Sequence, residues 1–227
     1  QYVLNEARHA DDIEVAEGWR YVLQILSEAS ELLVEGDAER PRFSEIVSPA
    51  RKLLGDNPDA RYQQALIRGD RRYRIRGRKK EQCYISFTIH GHDPEGGLAG
   101  PVQADINDDD LRIGADGTFE LVLGPDDSAG TDIRLQPDAR LVVVRNYYLR
   151  ELSAQNDPSI FVELSIEALD DPGPAPADSD DLLAEKLEQM ADFLRVTTLG
   201  LRVFGVPNPM KISFVSDEPN SAGNPPS

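Results

Sequence analysis

A single cysteine, Cys83, serves the whole chain of 227 residues. An internal disulfide is therefore excluded, nothing in the chain demands an oxidising compartment, and a cytoplasmic location is the expectation. Cys83 falls in a run of alternating apolar residues, which predicts a buried and inert thiol. Positive charge is scarce as well: 24 Lys and Arg stand against 41 Asp and Glu, for a formal net charge of −17. That balance repels phosphate backbones and anionic lipid, so nucleic acid is not an expected partner. No apolar run reaches the roughly 20 residues of a membrane-spanning helix. The opening QYVLNEARHADD has neither the basic start nor the apolar core of a signal peptide. There is no Gly-x-Ser-x-Gly elbow, and GGLAG (Gly96 to Gly100) lacks the Lys-Ser/Thr ending of a phosphate loop. Histidine occurs only at His9, His90 and His92.

What is present fits one core-bearing domain with helical additions. Residues 1–56 read as an N-terminal helical segment. From Asp11 to Glu35, Val15, Trp19, Val22, Leu23, Leu26, Ala29 and Leu33 recur at three- and four-residue steps, and a shorter helix is predicted around Pro49 to Leu54. Over residues 57–169 the period changes to two. Tyr73 and Ile75 alternate with arginines, and Cys83, Ile85, Phe87 and Ile89 alternate with Tyr84, Ser86, Thr88 and His90, which predicts a hairpin turning through Lys79 to Gln82. Further strands are predicted at Phe119 to Leu123, Arg140 to Leu149 and Ile160 to Ala168. Their turn-rich joins argue for a mainly β fold with flanking helices, built on an antiparallel sheet folded into a sandwich. Residues 170–181 form a Pro- and Asp-rich linker, 182–206 an amphipathic helix, and 207–227 a disordered or truncated tail.

Taken in order, NPDARY (Asn57 to Tyr62), YRIRG (Tyr73 to Gly77), YISFTIHG (Tyr84 to Gly91), ADGTFELVL (Ala115 to Leu123) and PDARLVVVRNYY (Pro137 to Tyr148) resemble the bacterial proteins of domain of unknown function 1214. The resemblance runs from Trp19 to about Leu169. It implies a jelly-roll-like β-sandwich with helical segments and no established activity. Where those proteins often carry Asn-Trp before a Leu, this chain has Asp132-Ile133 ahead of Arg134-Leu135, so a pocket lined by that pair would have lost an aromatic and gained charge. Such proteins typically continue further. With the absent initiator Met, this gives the expectation of an incomplete unit, completed by a missing C-terminal part or an oligomeric partner.

Three constellations could carry chemistry. Side chains two apart on a strand share a face, so Arg72, Arg74, Arg76 and Arg78 stand in one row and need anions between them. A ligand could supply these, held bidentately. So could the protein's own acids, among them Asp108 to Asp110, Glu120, Glu163 and Glu167. Internal neutralisation is the expectation, with at most one or two arginines reaching a ligand. In HGHDPEGG, His90 and His92 with Asp93 or Glu95 resemble the first half of a cupin metal motif, one residue short in the His-to-Glu spacing and without a later histidine. No metal and no cofactor is the expectation there, with His90, His92 and Glu95 as the weak candidates. Lastly, Arg145 and Asn146 interrupt the apolar run LVVVRNYY, and a polar group facing a core must be partnered. Arg145 either ties to a buried acid or points into a pocket. The ligand-binding candidates are Tyr62, Tyr73, Arg74, Arg76, Arg145 and Tyr147. The function expected is binding of a small, partly apolar or anionic ligand. An enzyme of unassigned reaction using the sandwich pocket, with or without a metal at His90 and His92, and a structural or assembly module are the alternatives.

Overall fold

The computed structural model describes residues 12–199 apart from 56, 98, 126–129, 176 and 178. Helix α1 (Asp12–Ala29) runs on through one π-helical turn, Ser30–Val34. Nine strands follow: β1 (Ser44–Glu45), β2 (Ala60–Leu66), β3 (Tyr73–Arg78), β4 (Gln82–Gly91), β5 (Val102–Asn107), β6 (Thr118–Gly124), β7 (Ile133–Arg134), β8 (Ala139–Tyr148) and β9 (Leu164–Ala168). Helix α2 (Asp180–Thr198) comes last, its first turn capped by the Ser179 hydroxyl, which accepts from the Leu182 N–H at 3.2 Å. No helix among the described residues is long and apolar enough to cross a membrane.

The strands make a five-stranded sheet, ordered β1-β2-β8-β4-β5, and a four-stranded sheet, ordered β7-β6-β3-β9. Every pairing is antiparallel except that of β7 with β6. One core is shared by the two sheets: Ile85, Phe87, Ile89, Val142 and Val144 from the first meet Tyr73, Ile75, Leu121, Leu123 and Ile166 from the second. A second core lies on the opposite face of the five-stranded sheet, where Leu141 and Val143 meet Ile25, Ala29 and Leu32 of the N-terminal helical stretch and Phe193 of α2. Strand β8 is thus covered on both faces, which is why LVVV reads as a continuous apolar run rather than an alternation.

Several sequence expectations are corrected. Strands β3 and β4 do not form a hairpin: β3 pairs with β6 and β9, β4 with β5 and β8, and the link between them passes from one sheet to the other. A period of two identifies a strand but not its neighbour. Pro49 to Leu54 is not helical. The Ser48 hydroxyl accepts from the N–H groups of Ala50 and Arg51 and holds a turn in its place. Cys83 is exposed, not buried, because a register shift between Gln82 and Tyr84 disturbs the alternation at the strand end; its thiol lies 3.4 Å from the Tyr147 carbonyl. Ser86, Thr88 and His90, on the other side of that alternation, are also buried, on the face of the sheet that carries the second core. On α1 the buried stripe runs through Ile25 and Ala29, leaving Trp19 and Leu23 exposed. The expected strand from Ile160 begins only at Leu164, and β2 and β5 were not expected at all. The last part of the expected C-terminal helix and the tail, as well as His9, lie outside the described residues.

Candidate functional site

The register of β4 against β8 slips at one end: His90 faces Leu141, and Gly91 then faces Ala139. Arg140 is the extra residue of that bulge. By strict alternation with Val142 and Val144 it would point into the shared core; the bulge turns it toward α2 instead. There its Nη2 donates to Gln189 Oε1 at 3.1 Å, and its Nη1 lies 3.4 Å from His92 Nδ1. A guanidinium can only donate, so Nδ1 of His92 is the acceptor. Arg140 is half-buried, and loss of water holds its guanidinium below the usual arginine range, a shift partly offset by the Glu185 carboxylate. Among the described residues no carboxylate comes within ion-pair distance of Arg140.

These groups border an open cleft of about 620 Å³, walled by residues 36–39, 66–70 and 137–140, by His92, and by Glu185 and Gln189 of α2. Gly69 lets two of those walls touch, since a Cβ there would lie 2.0 Å from the Gln136 carbonyl oxygen. Three of the acids in the walls are already matched: Glu39 by Arg68 and Arg71, Asp70 by Arg68, and Asp37 by Arg40. Asp138 and Glu185 differ. Asp138 accepts from the Gln103 amide at 2.8 Å and Glu185 from the Gln189 amide at 3.2 Å, and among the described residues neither has a cation at ion-pair distance. Among the described residues the cleft therefore holds one arginine and two carboxylates that make no direct ion pair, Glu185 acting on Arg140 only at longer range.

The residues singled out from the sequence are distributed over four places. Tyr62, Arg145 and Tyr147 do come together, on the helix-covered face of the five-stranded sheet. Tyr62 faces Arg145 across the β2–β8 pair, and its ring lies edge-on to that of Tyr147 at 6.4 Å, with Tyr84 edge-on at 5.7 Å on the other side. Among the described residues Arg145 has no carboxylate at ion-pair distance; it donates to the Thr88 hydroxyl at 2.6 Å, which donates to Asp105 at 2.6 Å. Asn146 points into the shared core's end and bonds Gln63 at 2.8 Å. Tyr73 is fully buried, its hydroxyl donating to the Ala38 carbonyl at 2.9 Å and accepting from the Arg68 N–H at 2.8 Å, so it presents nothing to a ligand. Arg74 and Arg76 stand on the outer face of the four-stranded sheet, paired with Glu120 and Glu167. Arg76 also edges a second open groove, about 660 Å³, floored by Gly77, Phe119 and Leu164.

His90 and His92 do not converge. His90 Nδ1 is 3.0 Å from the Gly100 carbonyl, whereas His92 turns to Arg140, and Glu95 engages Arg195 through its backbone carbonyl at 2.9 Å. Among the described residues no group of three or more His, Cys, Asp and Glu side chains is placed to hold a metal ion. Sequence reasoning passed over Arg140, Gln189, Glu185 and Asp138. The one available signal was a charge opening the apolar run at Arg140, which read as a strand start.

No family model and no curated protein matches the sequence. A solved structure of an uncharacterized protein from Burkholderia cenocepacia is similar, with TM-score 0.74 and 29% identity over 87% of this chain. The chain spans 54% of that protein's length. A solved structure of a protein from Vibrio parahaemolyticus is more distant, with TM-score 0.33 and 14% identity over 58% of this chain and 31% of its own.

Proposed function

We propose that the chain is a binding module for a small molecule carrying a carboxylate, taken up in the cleft around Arg140. The observation that carries this reading is the half-buried guanidinium on a strand bulge, partly desolvated and with no carboxylate at ion-pair distance among the described residues, Glu185 acting on it only across the Gln189 amide. Leaving such a cation unpaired is costly, and a carboxylate matches its fork of donors in a bidentate pair. Carboxylate is favoured over phosphate because Asp138 and Glu185 border the same cleft and would repel a dianion more strongly than a monoanion. The neighbouring arginines already have partners, which leaves Arg140 as the cleft's anchor. The two sheets are read as a jelly-roll-like sandwich, a reading supported by the core they share and by the motifs resembling domain of unknown function 1214 proteins. That resemblance contributes architecture and no chemistry.

The test is a thermal-shift titration with acetate, succinate, citrate and benzoate at fixed ionic strength, set against inorganic phosphate. At least one carboxylate should raise the melting temperature of the natural sequence and leave that of Arg140→Gln unmoved. Equal shifts in both proteins would refute the assignment, and a larger shift with phosphate would move it to phosphate ligands.

A further inference from the structure

Gln189 stands between two opposite charges. Its Oε1 accepts from Arg140 at 3.1 Å while its Nε2 donates to Glu185 Oε1 at 3.2 Å, so a single carboxamide separates the guanidinium from the carboxylate. Glu185 and Gln189 lie four residues apart on α2 and therefore on one helix face, which fixes the spacing of the carboxylate from the amide. Glu185 is exposed at the cleft wall, and Asp138 adds a second carboxylate on the β8 side. Neither acid has a cation at ion-pair distance among the described residues.

We infer that the cleft recognises a zwitterion, with a free amino acid as its ligand: the ligand's carboxylate pairs with Arg140 and its ammonium group with Glu185 and Asp138. This rests on the carboxylate-binding reading of Arg140 and adds the amine. An α-amino acid carries its ammonium and carboxylate groups on one carbon, and the guanidinium and carboxylate linked through one amide present the opposite pair of charges side by side in the cleft wall. A ligand with a carboxylate alone would bring a net negative charge beside two unmatched acids. A ligand with an amine alone would leave Arg140 without its counter-ion. Only a molecule holding both charges satisfies both walls while adding no net charge to a strongly acidic protein.

Three probe pools separate the contributions by ligand-observed NMR: the standard L-amino acids, their N-acetyl derivatives, which lack the ammonium, and their carboxamides, which lack the carboxylate. At least one free amino acid should bind, and both of its derivatives should bind about tenfold more weakly or worse, the scale of one lost charge-assisted contact. In Glu185→Gln with Asp138→Asn the preference for the free amine over the N-acetyl form should vanish while carboxylate binding persists. In Arg140→Gln all binding should go, and Arg140→Lys should restore part of it. Far-UV circular dichroism and melting curves establish that each variant is folded. Binding of N-acetyl derivatives as tight as that of the free amino acids, still lost in Arg140→Gln, would sink the zwitterion while sparing the carboxylate reading. Binding unchanged in Arg140→Gln would sink both, and no binding by any free amino acid would overturn the inference.

Discussion

Glu28 of α1 lies 3.0 Å from the Arg51 guanidinium with none of its side chain open to solvent, and the amide of Gln64 on β2 donates to it from the sheet below. Burial dominates this carboxyl and pushes it up from 4.5 to about 7, against the pull of Arg51 and the Gln64 hydrogen bond and with a push from Glu31. Between those values the unfolded chain gives up its proton while the folded protein keeps it. Stability from this group is therefore fully present below about pH 4.5, is lost as the pH rises through 7, and is flat above. Glu28→Gln keeps the shape and removes the titration, and Arg51 retains Glu31 at 2.5 Å. Urea unfolding at pH 5 and pH 8 should show the natural protein losing about 2 to 3 kcal/mol more than the variant over that interval. Parallel pH profiles would refute this.

Tyr73 makes a different prediction, because its hydroxyl is spent inside the protein. Phe at this position keeps the ring in the core and strands both the Arg68 N–H and the Ala38 carbonyl, which it now holds at 2.8 and 2.9 Å. Tyr73→Phe should cost about 1–3 kcal/mol in urea unfolding, the usual penalty for buried groups left without partners. A neutral result would mean water replaces the hydroxyl.

Gly77 is the next-to-last residue of β3, inside the strand pairing, where a side chain would ordinarily be welcome. A Cβ there would lie 2.3 Å from the Phe119 ring and 3.0 Å from Leu164 Cδ1. Phe119 is itself packed edge-to-face on Phe87 at 5.8 Å and has little room to retreat. Gly77→Ala should destabilise by about 1–3 kcal/mol through overpacking, and Phe119→Leu in the same chain should recover part of the loss. Additive losses in the double variant would show that the ring is not the obstacle.

Much of the fold was legible because local rules govern it: the alternation through Ile85, Phe87 and Ile89 and that of Ile166 with its neighbours are the observed core faces. Partnership was not legible. Lys79 to Glu81 is short enough for a hairpin, yet it crosses between sheets, a choice made by the cores on either side rather than by the link. The bulge was hidden for the same reason. Arg140 stands at even spacing from Val142 and Val144, and nothing in that spacing announces the slipped register that turns it outward. Gln189 and Glu185 join it from α2, nearly fifty residues on, through a contact that only packing of the helix on the sheet creates. Tyr62, Arg145 and Tyr147 were found together because β2 and β8 are neighbours; Tyr73, chemically the same kind of residue, went to the core by parity alone.

Of the expected arginine row, Arg74, Arg76 and Arg78 lie on β3 while Arg72 precedes the strand, and the energetics of those three follow from their neighbours. Strand β6 brings Glu120 directly across from Arg76, and β9 brings Glu167 directly across from Arg74. Each glutamate then serves both arginines: Glu120 at 3.2 and 3.0 Å, Glu167 at 3.4 and 2.9 Å. Arg78 shares Glu163 with Lys80 and reaches Asp116 at 3.7 Å. The arginines are thus screened from one another by acids on both flanking strands. About half of the Arg76 side chain remains exposed, however, so each pair works largely in water and contributes little. Arg76→Gln and Arg74→Gln should each lower stability by about 0.5 kcal/mol, an effect that shrinks as salt is raised. The double variant should lose more than the sum, since in each single variant the remaining arginine claims both glutamates and is freed of its neighbour's repulsion, and with both gone nothing compensates. Urea midpoints at low and high salt decide the matter. Unchanged or raised midpoints on removing these charges would mean that the arginines repel one another in the folded protein, and that the row is held for an anion from outside rather than for Glu120 and Glu167.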